Sequence, residues 1–154
     1  MKTRLGLMLS LLSCCSLAPV LAEEVVLTVQ PQAQLQLLPL ADQTLTETGT
    51  VTVHPQDAGS PAGALSEPLP EYCLLSIQVG LGGAQAQLTP GKMICITEDH
   101  RILEAMPQAE VVGLGECLGN SGQCSRFRLT TTRVGQLRLQ APLEFTLQPR
   151  NLSN

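Results

Sequence analysis

Cys117 and Cys124 stand seven positions apart and bracket the run Leu118-Gly119-Asn120-Ser121-Gly122-Gln123. Thiols at such a spacing hold a metal, trade electrons, or form a structural disulfide. Zinc sites use tighter pairs such as C-x2-C, or histidines close by. Here the spacing is C-x6-C, and His54 and His100 lie elsewhere in the chain. Redox pairs are spaced C-x-x-C, which is absent. Beyond the first residues the chain carries four cysteines, Cys73, Cys95, Cys117 and Cys124, and an even number in an exported chain reads as two disulfides. Three pairings are open to four cysteines. The favoured one joins Cys117 to Cys124 across the Gly/Asn/Ser loop and Cys73 to Cys95. The short ring removes little chain entropy, ~2 kcal/mol, and mainly fixes loop shape, whereas the larger ring stabilises more. Nothing in these residues asks for a metal or a cofactor.

Other candidates for chemistry are sparse. His100 follows Glu98 and Asp99, but neighbours along a helix or strand point apart, so this is no preformed dyad. His54 precedes Pro55 at a strand end. No serine lies in G-x-S-x-G, and no helix follows the Gly113-x-Gly115 pattern, which excludes a phosphate loop. Without a nucleophile, a base and an orienting group in reach of one another, the chain is expected not to be an enzyme.

Arginine offers more. Arg126 and Arg128 fall on one face of an extended stretch, with Phe127 and Leu129 on the other. Arg133 and Arg138 follow. If 124–132 pairs with 134–140 as a hairpin, these guanidinium groups share a neighbourhood suited to carboxylates or phosphates. Two uses compete: a docking face for an acidic partner or anionic polysaccharide, or a solvated face balanced by the chain's own acids. With Leu118 and Asn120 at the tip of the stapled loop, these arginines form the candidate partner-binding set.

The elements that must position these residues read as strands. Period-two alternation runs through 25–30, 32–40, 49–54, 73–79, 84–88, 92–96, 109–117, 124–132, 134–140 and 143–148. Gln30, Gln32, Gln34 and Gln36 recur at every second position and give one wet strand face. Segments 109–117 and 124–132 flank the stapled loop as a hairpin, and Pro-Gly at 90–91 reads as a turn. The Pro/Gly-rich segment 55–72 reads as a long loop that no strand includes. One short helix is allowed at 97–106, with Thr97 as cap, Glu98 and Asp99 in its first turn, and Pro107 as its stop. The fold expected is all-β: an antiparallel β-sandwich or small barrel of about nine short strands, with two disulfides and at most one short helix.

Composition fits an exported chain. Lys2 and Arg4, the apolar run 5–12 and Val20-Leu21-Ala22 have the pattern of a signal peptide over 1–22, leaving a single β domain over 23–154. No later stretch is apolar for ~18 residues, so no transmembrane helix is expected. Leu11-Leu12-Ser13-Cys14 resembles a lipoprotein cleavage box, but bulky Leu12 and the short preceding run argue against a lipid anchor at Cys14. Seven acidic residues and no Lys or Arg lie between Glu23 and Gly91, while seven bases and six acids follow from Lys92. That balance, with one Tyr, two Phe and no Trp, disfavours nucleic acid as a partner. Asn151-Leu152-Ser153 is a glycosylation acceptor only in a eukaryotic host.

A leader followed by a small β domain is similar in layout to fimbrial subunits. The function expected is non-catalytic: a periplasmic or secreted subunit or accessory factor of a bacterial cell-envelope or surface assembly, meeting other envelope or surface proteins. Residues 25–40 are candidates for self-association by strand addition. The alternative is a small secreted inhibitor or ligand-binding module that presents loop 117–124 to a cleft.

Overall fold

The computed structural model describes residues 24–120 and 122–148. The leader, Cys14 and the acceptor at Asn151 lie outside them. The described residues form twelve strands: β1 (Val25–Val29), β2 (Leu35–Pro39), β3 (Gln43–Leu45), β4 (Gly49–Asp57), β5 (Tyr72–Gly80), β6 (Gln87–Ile96), β7 (Ile102–Ala105), β8 (Ala109–Val112), β9 (Glu116–Leu118), β10 (Arg126–Leu129), β11 (Gly135–Leu139) and β12 (Leu143–Leu147). Nine of them make one antiparallel sheet in the order β1-β12-β7-β6-β5-β4-β2-β11-β8, curled as a half-barrel. A small sheet, β3-β10-β9, packs with it. Alternation drives this arrangement. On β5, Cys73, Leu75, Ile77 and Val79 point in, and on β11 Gly135, Leu137 and Leu139 do. The enclosed core is aliphatic apart from Phe127 and Phe145, and no polar side chain is buried among the described residues.

The all-β class and both disulfides hold, Cys73–Cys95 and Cys117–Cys124, and several local readings change. The helix expected at 97–106 is a hairpin loop followed by β7. Thr97 N–H donates to Arg101 O (3.0 Å), and the three residues between them turn the chain. His100, with φ 61°, takes the left-handed position that ends such a loop. The supposed cap serves the turn instead. Arg101 N–H donates to Thr97 Oγ1 (3.0 Å), and Thr97 Oγ1–H donates to Asp99 Oδ1. Short polar side chains favour caps and turns for the same reason, since they bond nearby backbone, and Ile102 and Leu103 tip the balance by joining the sheet.

Pro55 belongs to β4, opposite Leu37 on β2. β5 pairs with β4 only from Gly49 to Val53, so Pro55 adjoins a free edge, where a sheet tolerates the missing N–H. The rest of the Pro/Gly-rich segment then crosses to β1: Gln30 N–H donates to Ala64 O (2.7 Å), and Ser66 N–H to Thr28 O (2.9 Å). β1 is thus covered on the side away from β12, while β2 lies between β11 and β4. Residues 25–40 are therefore built into the chain's own sheet.

Segment 109–117 splits in two. β8 pairs with β11 in the large sheet, and β9 pairs with β10 in the small one. The chain changes sheet at Gly113, with φ 71°, and Gly115, where an added Cβ would lie 2.5 Å from Phe127 Cζ. Likewise β10 and β11 lie in different sheets and do not form the hairpin expected of them.

Candidate functional site: an uncovered apolar sheet face

The site starts with a bulge in β6. Leu75 on β5 faces Met93, but Ile77 faces Pro90, so Gly91 and Lys92 together oppose Ser76. The Pro-Gly pair read as a turn is an extra residue inside one continuous strand. An added Cβ at Gly91 would lie 2.6 Å from Ser76 Oγ, so any larger residue there must displace that hydroxyl or the strand. The extra residue also reverses which side chains point inward. Before it, Leu88 and Pro90 lean towards the core; after it, Met93 and Cys95 are buried, and Lys92, Ile94 and Ile96 face solvent. A one-residue shift moves every later side chain to the opposite face.

At this end of the neighbouring strands the outward side chains Tyr72, Leu74 and Ile102 are also apolar. Tyr72 pairs with Ile96, Leu74 with Ile94, and Ile96 with Ile102 of β7. All five are exposed, Tyr72 by 68%, Leu74 by 48% and Ile96 by 45%. They form a contiguous apolar patch across three strands, of the kind that marks a contact surface rather than ordinary scatter. Its end nearest the β6–β7 turn is a cleft of about 480 Å³, lined by Tyr72, Leu74, Ile94 and Ile96 with Glu71, Glu98, His54 and His100. The histidines are far apart in sequence, yet the fold brings them to one cleft. His54 Nδ1 lies 2.9 Å from Cys73 O, so that nitrogen carries the ring proton and donates. The bond bridges β4 to β5 where their ladder ends. Behind the face, Cys73–Cys95 ties β5 to β6, with both cysteines buried.

Charges around the face are partly satisfied. Lys92 Nζ lies 2.9 Å from Glu104, and Arg101 Nε 2.5 Å from Asp99. The Thr97 hydroxyl, and then Arg101, hold the Asp99 carboxyl below its ordinary range. Neither Glu71 nor Glu98 has an ion-pair partner among the described residues.

The partner-binding set expected from sequence lies elsewhere. Arg126 and Arg128 point outward from β10 while Phe127 and Leu129 are buried. Arg128 grips Glu116 on β9 through Nε (2.7 Å) and Nη2, and Arg133 Nη1 reaches the same carboxylate at 3.5 Å. The Arg128 contact is the main reason the Glu116 carboxyl is held below its ordinary range. Arg138 sits apart on β11, opposite Glu110 and beside the outward Gln34, Gln36 and Gln136. In the stapled loop, Cys124 is buried and clasped by the β5–β6 connection: Gly82 N–H donates to Cys124 O (3.1 Å), and Cys124 N–H to Gly83 O (2.8 Å). Asn120 is exposed beyond this anchor and Leu118 half-buried. The fold therefore gathers Arg128 and Arg133, and leaves Arg126 and Arg138 unpaired among the described residues.

Tyr72, Leu74, Ile94, Ile96 and Ile102 were not singled out from sequence. Their signal was present as apolar runs too continuous for a strand with one wet face: Tyr72-Cys73-Leu74-Leu75 and Met93-Ile94-Cys95-Ile96. Among the described residues no group of three His, Cys, Asp or Glu is placed to hold a metal, and no helix is long and apolar enough to cross a membrane. Two disulfides are characteristic of an oxidising extracellular or periplasmic environment. No protein-family model, no curated protein and no solved structure matches this chain.

Proposed function

We propose that this protein is an exported, non-catalytic subunit or accessory factor of a bacterial cell-envelope or surface assembly, and that it binds its partner through the outer face of β5, β6 and β7. The observation that carries this reading is the exposed patch of Tyr72, Leu74, Ile94, Ile96 and Ile102. Fully burying an Ile or Leu side chain is worth about 1.5–3 kcal/mol, so five side chains left at roughly half exposure hold a large unused part of that energy for association. The two disulfides fit the exported setting.

A second reading, the secreted inhibitor or ligand-binding module, draws support from the stapled loop. Its base is fixed by Cys117–Cys124 and by the two backbone bonds to Gly82 and Gly83, and a rigid loop loses less entropy on entering a cleft.

Photo-crosslinking in the exporting cell separates the two. A photoreactive residue is placed at Ile96, at Asn120 and, as control, at Gln136 on the polar face. Discrete adducts from Ile96 alone are the expected result. Adducts from Asn120 alone would transfer the function to the loop. Adducts from Ile96 no stronger than from Gln136 would overturn the face reading.

A further inference from the structure

Resting on the reading of this face as the contact surface, we infer that the element it receives is a basic, aliphatic polypeptide segment of another protein, seated with its apolar side chains on Leu74, Ile94 and Ile96 and a Lys or Arg between Glu71 and Glu98. Both carboxylates line the apolar cleft and flank the paired residues Tyr72 and Ile96 at the ends of their strands. Neither is matched by a base among the described residues, whereas the nearby Glu104 and Asp99 hold Lys92 and Arg101. An acidic segment would meet like charge at this rim, and a neutral one would leave both carboxylates beside a newly dried surface without a counter-charge. A cation there gains two carboxylates and the open ring of Tyr72.

The same bookkeeping disfavours a second copy of this chain. No Lys or Arg lies between Glu24 and Gly91. Lys92 and Arg101, the Lys and Arg at this face, are already engaged, and Arg126 and Arg138, unpaired among the described residues, sit on β10 and β11. A symmetric contact through the face would bring no unengaged Lys or Arg of the described residues to Glu71 and Glu98.

The chain supplies its own reporter, because Tyr72 is its only tyrosine and it has no tryptophan. Tyrosine emission of the disulfide-bonded protein is followed while a short peptide of alternating leucine and lysine is added, then peptides of leucine and glutamate and of serine and lysine. The expected result is a saturable change with the Leu–Lys peptide and binding at least about tenfold weaker for the other two. Glu71→Gln with Glu98→Gln, at unchanged circular dichroism and Tm, should remove most of that preference. Equal binding of the Leu–Lys and Leu–Glu peptides, equal binding of the Ser–Lys peptide, or no binding at all overturns the inference. A concentration-dependent dimer on a sizing column that the Leu–Lys peptide fails to displace assigns the face to a second copy and overturns it too. In each of these cases adducts from Ile96 in the crosslinking experiment keep the face reading alive, so the two failures are told apart.

Discussion

Each disulfide marks a surface region, and the two regions differ in what they leave unsatisfied. At β9 and β10, with Cys117–Cys124, Glu116 holds both Arg128 and Arg133, Arg126 alone has no ion pair among the described residues, and the apolar side chains Phe127 and Leu129 are buried. At β5–β7, with Cys73–Cys95, the inward side is packed, while the outward side exposes Tyr72, Leu74, Ile94, Ile96 and Ile102 beside two carboxylates that have no ion pair among the described residues. Arginines that already share a carboxylate of their own chain gain less from a partner. An uncovered apolar face gains by being covered. The comparison teaches that a cluster of arginines weighs less as a binding signal than the question of what already occupies them.

The sharpest way to break this comparison is to cut the two staples separately. Chain entropy gives about 3.4 kcal/mol for the 22-residue separation of Cys73–Cys95 and about 2.5 kcal/mol for the 7-residue separation of Cys117–Cys124. Cys73 and Cys95 are both fully packed, so Cys73→Ala with Cys95→Ala also loses core contacts, for a total of about 4 kcal/mol. The double alanine at 117 and 124 should cost about 2.5 kcal/mol and leave Tyr72 emission unchanged. Urea denaturation of both variants measures this. If the 117–124 variant is the less stable, Cys73–Cys95 is not what holds the apolar platform together.

How far the sequence disclosed these regions depends on how local each determinant is. Alternation on β2, β5 and β11 is local, and the core positions followed from it. Spacing favoured one of three disulfide pairings without fixing it, and that pairing is the one the fold makes. What stayed hidden depended on registers between strands. Pro90-Gly91 has the chemistry of a turn, and only the pairing of Leu75 with Met93 and of Ile77 with Pro90 turns it into a bulge. Once there, it sends Ile94 and Ile96 outward, so the apolar face is a consequence of one inserted residue. Thr97 to His100 carries helix-cap and turn signals alike, and tertiary pairing of Ile96 with Ile102 decides between them. The arginines do not meet across a hairpin because β10 and β11 fall in different sheets, and the pairing of β9 with β10 instead sets Glu116 opposite Arg128.

The bulge itself offers the next test. Gly91→Ala places a methyl group 2.6 Å from Ser76 Oγ, and relieving the clash means moving a hydroxyl or the strand, at about 1–2 kcal/mol. In a Ser76→Ala background the nearest atoms are Ser76 O at 3.4 Å and Cβ at 3.8 Å, so the cost should fall by half or more. A double-mutant cycle by thermal and urea denaturation reads this coupling. An equal cost in both backgrounds would mean that the strain of Gly91→Ala lies in the strand backbone, and that Ser76 does not enforce the bulge.

The smallest effect separates the regions most cleanly, because it is electrostatic. Glu116 is only half-buried, yet Arg128, and more weakly Arg133, hold its carboxyl below the ordinary range. A carboxyl depressed in the folded state contributes stability above its unfolded value, near 4.3, and loses it as pH falls through the lower folded value. Glu116→Gln should therefore lower Tm by no more than a few degrees at neutral pH. The deficit should vanish in acid below the folded value, and shrink as salt screens the pair. Glu98→Gln, on the other region, removes a carboxylate with no ion-pair partner among the described residues and should leave Tm unchanged at either salt concentration. Thermal melts of both variants across pH and salt decide the matter. A salt-sensitive loss of stability in Glu98→Gln would mean that this carboxylate is already engaged within the fold, and the acidic rim would then have no charge to offer a partner. A Glu116→Gln deficit that persists unchanged into acid would mean that the residue matters by packing, and the arginines of β10 would return as free groups.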